Sequence, residues 1–252
     1  MDPVSSPAIK LQDYVSGGYY LARLREAGVE RPVSPRLPRR YISASTGLCD
    51  FFTDSWVWDN AGPMDGAGNF VKGIRGFEER LTRAARFGIT AERLPDVIRW
   101  GQLRCGRDFG FPRGYYRLAD ARRAADWISL PQEAFVTFGI GLHRSLSEKF
   151  LHAMTKHEDC TTALCVREGL ELSGEGVPLG HELLNVECGH PCHSWICGGA
   201  EDDFVERKQL TLNQHGYIDN FETALECTQV IESGEIPEEP GPWFPWLIVH
   251  YT

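Results

Sequence analysis

The stretch AFVTFGIGLH at 134–143 is the strongest constraint on the fold. Val136, Phe138, Ile140 and Leu142 share one side of a period-two pattern, and Thr137, Gly139 and Gly141 share the other. Such a strand has one apolar face and one face without bulk, where another backbone or a helix can approach closely. The stretch WFPWLIVHYT at 243–252 reads as a further strand tied into the same sheet, because a free end this apolar would be a liability. Short strands are expected at 161–166 and 183–188, and a strand with an irregular turn at 41–60. Helical spacing appears at 11–27 (Leu11, Tyr14, Val15, Gly18, Ala22), at 74–88, after Pro95, and at 118–128 (Leu118, Ala121, Ala125, Ile128). Asp219 and Glu222 resemble a capping box opening a helix through Ser233, with Gly234 as its stop. The expected fold class is α+β: a single compact domain, with a mixed or antiparallel sheet and flanking helices. An N-terminal helix and Pro-rich linker are assigned to 1–40, and the globular domain to 41–252.

Composition narrows the class. Seven Trp, eight Tyr and 13 Phe supply too much buriable aromatic surface for a disordered chain. The 26 Gly and 15 Pro are spread without a period, which excludes a collagen-like chain, and no window approaches the ~20 apolar residues of a membrane span. No basic stretch leads into an apolar one near residue 1, so a cytoplasmic location is expected, with the eight cysteines as thiols or metal ligands.

Charge is unevenly spread. Residues 167–252 hold 16 Asp and Glu against three Lys and Arg, whereas 1–166 hold 19 against 23. The acidic portion repels nucleic acid and anionic lipid and attracts basic partners. The arginines of the first part lack the interleaved aromatics of a base-stacking groove, so neither a nucleic-acid nor a membrane partner is expected. The same acidity also serves solubility, which is its plainest reading.

The densest cluster of reactive side chains is ECGHPCHSWICGG at 187–199. Cys188, His190, Cys192 and Cys197 are soft ligands of the type zinc favours, and Cys160 with Cys165, or His152 with His157, could supply a second pair. A Pro-Cys followed by another Cys also appears in zinc-dependent nucleobase deaminases. Here the cysteine gap is four residues rather than two, and no His-x-Glu precedes it. Cys192 beside His193 is the one thiol–imidazole pair that the sequence offers for nucleophilic catalysis, although neighbours on a strand point to opposite faces. The competing reading is structural: Cys188, Trp195 and Cys197 pack in the core around a turn. No G-x-S-x-G elbow or phosphate-binding loop is present. His143 near Ser145 reads as a strand end leading to a helix capped by Ser145 or Ser147, SGEGVPLG at 173–180 reads as a turn, and Asp54 with Asp59 form one aromatic-flanked carboxylate pair.

Leu179, Gly180, Glu182, Leu183, Leu184, His193, Ser194, Trp195, Cys197, Asn213, Gly216 and Ile218 form a pattern that resembles a group of uncharacterised bacterial proteins over about residues 140–225. The resemblance implies no reaction. In size and acidity the chain also resembles the immunity proteins that bacteria pair with secreted toxins. The leading expectation is therefore a non-enzymatic, acidic protein-binding module that masks a basic toxin, with Glu201, Asp202, Asp203 and Trp195 as the partner-binding residues. This reading needs no cofactor. The alternative is a small-molecule hydrolase or transferase using the Cys188–Cys197 cluster, with Cys192 and His193 as its catalytic residues and with or without zinc.

Overall fold

The computed structural model describes residues 9–23, 25–26, 40–41, 90–93, 115–126, 135–155, 160–187 and 190–252. The elements expected at 41–60, 74–88 and after Pro95 lie outside them, apart from Tyr41 and the turn at 90–93.

Five strands form one antiparallel sheet: β1 (Tyr14–Arg23), β4 (Phe135–His143), β5 (Val177–Glu187), β6 (His190–Ser194) and β7 (Trp243–Tyr251), in the order β1-β4-β7-β5-β6. Two-residue strands β2 (Arg25–Glu26) and β3 (Arg40–Tyr41) pair separately. Among the described residues six helices accompany the sheet: α1 (Leu118–Ala125), α2 (Ser147–Ala153), α3 (Thr161–Arg167), α4 (Trp195–Gly198), α5 (Ala200–Arg207) and α6 (Phe221–Glu232). The α+β architecture with an antiparallel sheet is thus present. No helix among the described residues is long and apolar enough to cross a membrane.

The core lies on both faces of β7, whose residues Trp243 to Val249 are all buried. On the first face, Ile140 and Leu142 pair with Ile248 and Trp246, and Leu184 pairs with Phe244. Phe150 of α2 meets Phe244 and Trp246 edge-on at 5.5 Å each, and the Tyr20 hydroxyl bonds the Thr162 hydroxyl of α3 at 3.0 Å. The glycine side of β4 is the second face, and its lack of bulk is used as expected. A Cβ at Gly139 would press on Tyr19 and Tyr251, and one at Gly141 would lie 2.7 Å from Leu172. Helix α6 covers this face over β5 and β7. Lys149 of α2 pairs with Glu232 of α6 at 3.0 Å, joining the two covers.

Three expectations are corrected. The helix expected at 11–27 is not formed over residues 11–23: a 3-10 turn at Leu11–Asp13 leads directly into β1. Tyr14, Val15, Tyr19 and Tyr20 are strand formers, and Gly17-Gly18, which breaks the helix pattern, forms a bulge where the register shifts between Ser16 and Tyr19, with Gly18 at φ 111°. A boundary at residue 40 would therefore cut β1 from its sheet. Residues 161–166 form α3 rather than a strand, an apolar run too short for periodicity to decide. Finally, Asn220, not Asp219, caps α6 by accepting from Thr223 N–H.

Gly17 lies inside the first-face core, where a Cβ would come within 2.6 Å of the Trp246 ring and 2.8 Å of Ile140. Gly17→Ala is expected to destabilise the protein by about 1–3 kcal/mol through overpacking, read as a lower urea midpoint with an unchanged slope.

Candidate binding pocket

Most of the 187–199 cluster falls outside what the structure describes. Cys188 lies outside the described residues, as do the side chains of His190, Cys192 and Cys197. At backbone level Cys192 is the extra residue of a bulge in β6, between Pro191 paired with Val186 and His193 paired with Asn185. The side chain of Ser194 caps α4, and Trp195 is fully buried against Phe204 of α5. Among the described residues no group of three or more His, Cys, Asp and Glu could hold a metal ion.

The acidic run expected to meet a partner is also largely committed to structure. Glu201 is 1% exposed and Trp195 is 0% exposed, so neither offers a surface to another protein. Asp203 pairs with Arg207 one helical turn on, at 3.1 Å, and Asp202 is half-buried. The helix α5 that carries the run was not anticipated, and it turns Ala200, Glu201 and Phe204 inward.

A different set of residues converges on the second face of the sheet. Ile9, Lys10, Asp13, Tyr14, His143, His181, Asp219, Asn220, Phe221 and Glu222 line a cavity of about 290 Å³. Strand pairing sets Tyr14 opposite His143 at the end of β1 and β4, and the loop before α6 brings Asp219 to Glu222 over them. The aromatic floor is packed tightly: His143 stacks on Phe221 with centroids 4.0 Å apart, and Tyr14 meets His143 edge-on at 5.3 Å.

His181 is the buried polar anchor of this floor. Its Nδ1 lies 3.0 Å from the carbonyl oxygen of Ile218, and its Nε2 lies 2.8 Å from the Tyr14 hydroxyl. A carbonyl only accepts, so Nδ1 carries the proton and the Tyr14 hydroxyl donates to Nε2. Burial is the main cause that pushes the His181 pKa down to about 4, with the neighbouring His143 adding to it. Burial, then the charges of Asp13 and Glu222, raise the Tyr14 phenol above its ordinary 10.0. The pair thus bridges β1 and β5 across the sheet through the Tyr14 hydroxyl.

His143 is half-buried, and burial lowers its pKa from 6.5 against the pull of Asp13 and Glu222. Its Nδ1 accepts from Ser145 N–H at 3.4 Å and sits 2.7 Å from the Ser145 hydroxyl. His143 thereby caps the turn at Arg144–Leu146, whereas helix α2, expected to be capped by Ser145 or Ser147, has Leu146 at its N-cap with no side-chain hydrogen bond. Both imidazoles are uncharged at neutral pH.

The signal for this site was present but faint. His181 interrupts the apolar run of β5 between Leu179 and Leu183, and a polar residue inside a buried strand needs named partners. Those partners, Tyr14 and Ile218, come from 167 and 37 residues away.

The unfolded chain binds a proton on His181 near pH 6.5, whereas the folded chain resists until about pH 4. Stability conferred by the neutral imidazole is therefore complete above pH 6.5 and is lost as pH falls from there toward 4, by on the order of 3 kcal/mol; His143 acts in the same direction. His181→Gln is expected to flatten this dependence in urea unfolding at successive pH values, while Tyr14→Phe costs about 1 kcal/mol at neutral pH by leaving Nε2 without a donor. The chain matches no protein-family model, no curated protein and no solved structure.

Proposed function

We propose that this protein is a non-enzymatic, acidic protein-binding module whose partner is a basic protein, and that it works as an immunity-type protein masking a basic toxin. One observation carries the reading: the acidic strip formed by Asp219, Glu222 and Glu226. All three are exposed, and among the described residues none of them enters a salt bridge. Glu222 and Glu226 stand one helical turn apart on α6, an arrangement of like charges that costs a few tenths of a kcal/mol. Several other carboxylates of the acidic portion have intramolecular partners. Glu175 pairs with Arg122, Glu232 with Lys149 and Glu235 with Lys208, and Glu238 accepts from the Ala200 N–H at the start of α5. A strip that enters no salt bridge among the described residues is suited to cations from another chain.

The reading moves the expected interface from Glu201–Asp203 to α6, which sets the test. Wild-type chain and the Glu222→Lys/Glu226→Lys variant, each immobilised, are exposed to extract of the native source at rising salt. The wild type is expected to retain a basic protein that elutes as salt increases, and the variant to capture it about tenfold more slowly, with an unchanged circular dichroism spectrum. Equal retention by both chains at every salt concentration overturns the reading.

A further inference from the structure

We infer that the cavity over Tyr14, His143 and Phe221 is a receptor for a single arginine side chain of the partner, an inference that rests on the protein-binding reading above. The cavity itself carries the argument. It holds about 290 Å³, and its lining includes the aromatic rings of Tyr14 and Phe221, which meet edge-on at 6.5 Å. An aromatic face attracts organic cations, and the planar guanidinium best of the protein's own.

The charge around the mouth decides the sign of the guest. Asp13, Asp219 and Glu222 line it against Lys10 alone. The start of α6 adds roughly half a positive charge, part of which is already taken up by Asn220 accepting from Thr223 N–H. Three carboxylates against one ammonium and a half-charge leave the mouth negative, so a phosphate or carboxylate guest is repelled despite the helix terminus. The histidines of the floor add no positive charge at neutral pH. Guanidinium is favoured over ammonium because its fork can meet two carboxylates while its plane lies on a ring. The Asp219 carboxylate is held by Asn213 Nδ2 at 2.6 Å, so part of the mouth is rigid before a guest arrives.

The probes are N-acetyl-arginine amide, its uncharged citrulline counterpart and an oligolysine peptide, each titrated into the full chain and followed by the ring resonances of His143 and by calorimetry. Acetyl-arginine amide is expected to give saturable shifts, the citrulline compound about tenfold weaker ones. Glu222→Gln should weaken arginine by about three- to tenfold, and Phe221→Leu, which keeps the packing but removes the π face, by a similar factor. Equal binding of arginine and citrulline overturns the inference, as does arginine binding indifferent to both substitutions. Salt-sensitive oligolysine binding with no saturable arginine shift overturns the arginine receptor but leaves the acidic surface standing. Absence of both overturns the protein-binding reading with it.

Discussion

Burial of β7 on both faces is the constraint on which the other elements depend. Trp243, Phe244, Trp246, Leu247, Ile248 and Val249 are no more than 1% exposed, and truncating any of the large ones would cost about 3–5 kcal/mol. One helical layer cannot enclose a strand of this kind. The chain therefore needs α2 and α3 on one side and α6 on the other, and it must settle the polar groups trapped between them. Not all are settled: among the described residues the indole N–H groups of Trp195 and Trp246 are buried with no acceptor, a cost that their packing outweighs.

The pocket follows from the same geometry. Tyr14 and His181 lie on strands separated by β4 and β7, and their side chains meet because Gly141 leaves room above the sheet; a Cβ there would stand 3.2 Å from that of Tyr14. Enclosure then forces His181 to remain neutral and fixes its tautomer through Ile218. What the bridge achieves is orientation: it holds the Tyr14 ring in the floor while Phe221 closes over His143. The site is assembled from the segment leading into β1, from the entry to α6, and from β1, β4 and β5, which contribute one side chain each.

Much of the architecture was legible in the sequence. Strong two-residue alternation located β4 and even its empty face, the apolar run at 243–251 gave β7, and helical spacing gave α1 and α6 to within a few residues. Failures have identifiable causes. Tyr14, Gly18 and Ala22 mimic a helical face, and only the partners of β1 show that Gly17-Gly18 is a bulge. At 161–166 the run is apolar on every side, so neither period stands out. The site was less legible than the fold. Tyr14 and Phe221 read as core, Asp219 and Glu222 as helix capping, and His181 as half of an adjacent His-Glu pair. Each assignment is locally sound, and what unites the five is contact between distant segments. Reactive residue types such as those of the 187–199 cluster are easy to count along a chain, whereas convergence of distant segments is not.

The sheet order also governs how the chain can assemble during synthesis. β4 and β5 never pair with each other; β7 lies between them, and it follows both in the chain. While a ribosome makes the hundred residues from His143 to Trp243, a matter of roughly 5–20 s, β4 has β1 along one edge and nothing along the other. That open edge carries Phe138, Ile140 and Leu142, an invitation to pair with a stranger. The nascent protein is thus most vulnerable to aggregation through this edge just before β7 emerges, and a chaperone that shields strand edges would act on it in that interval.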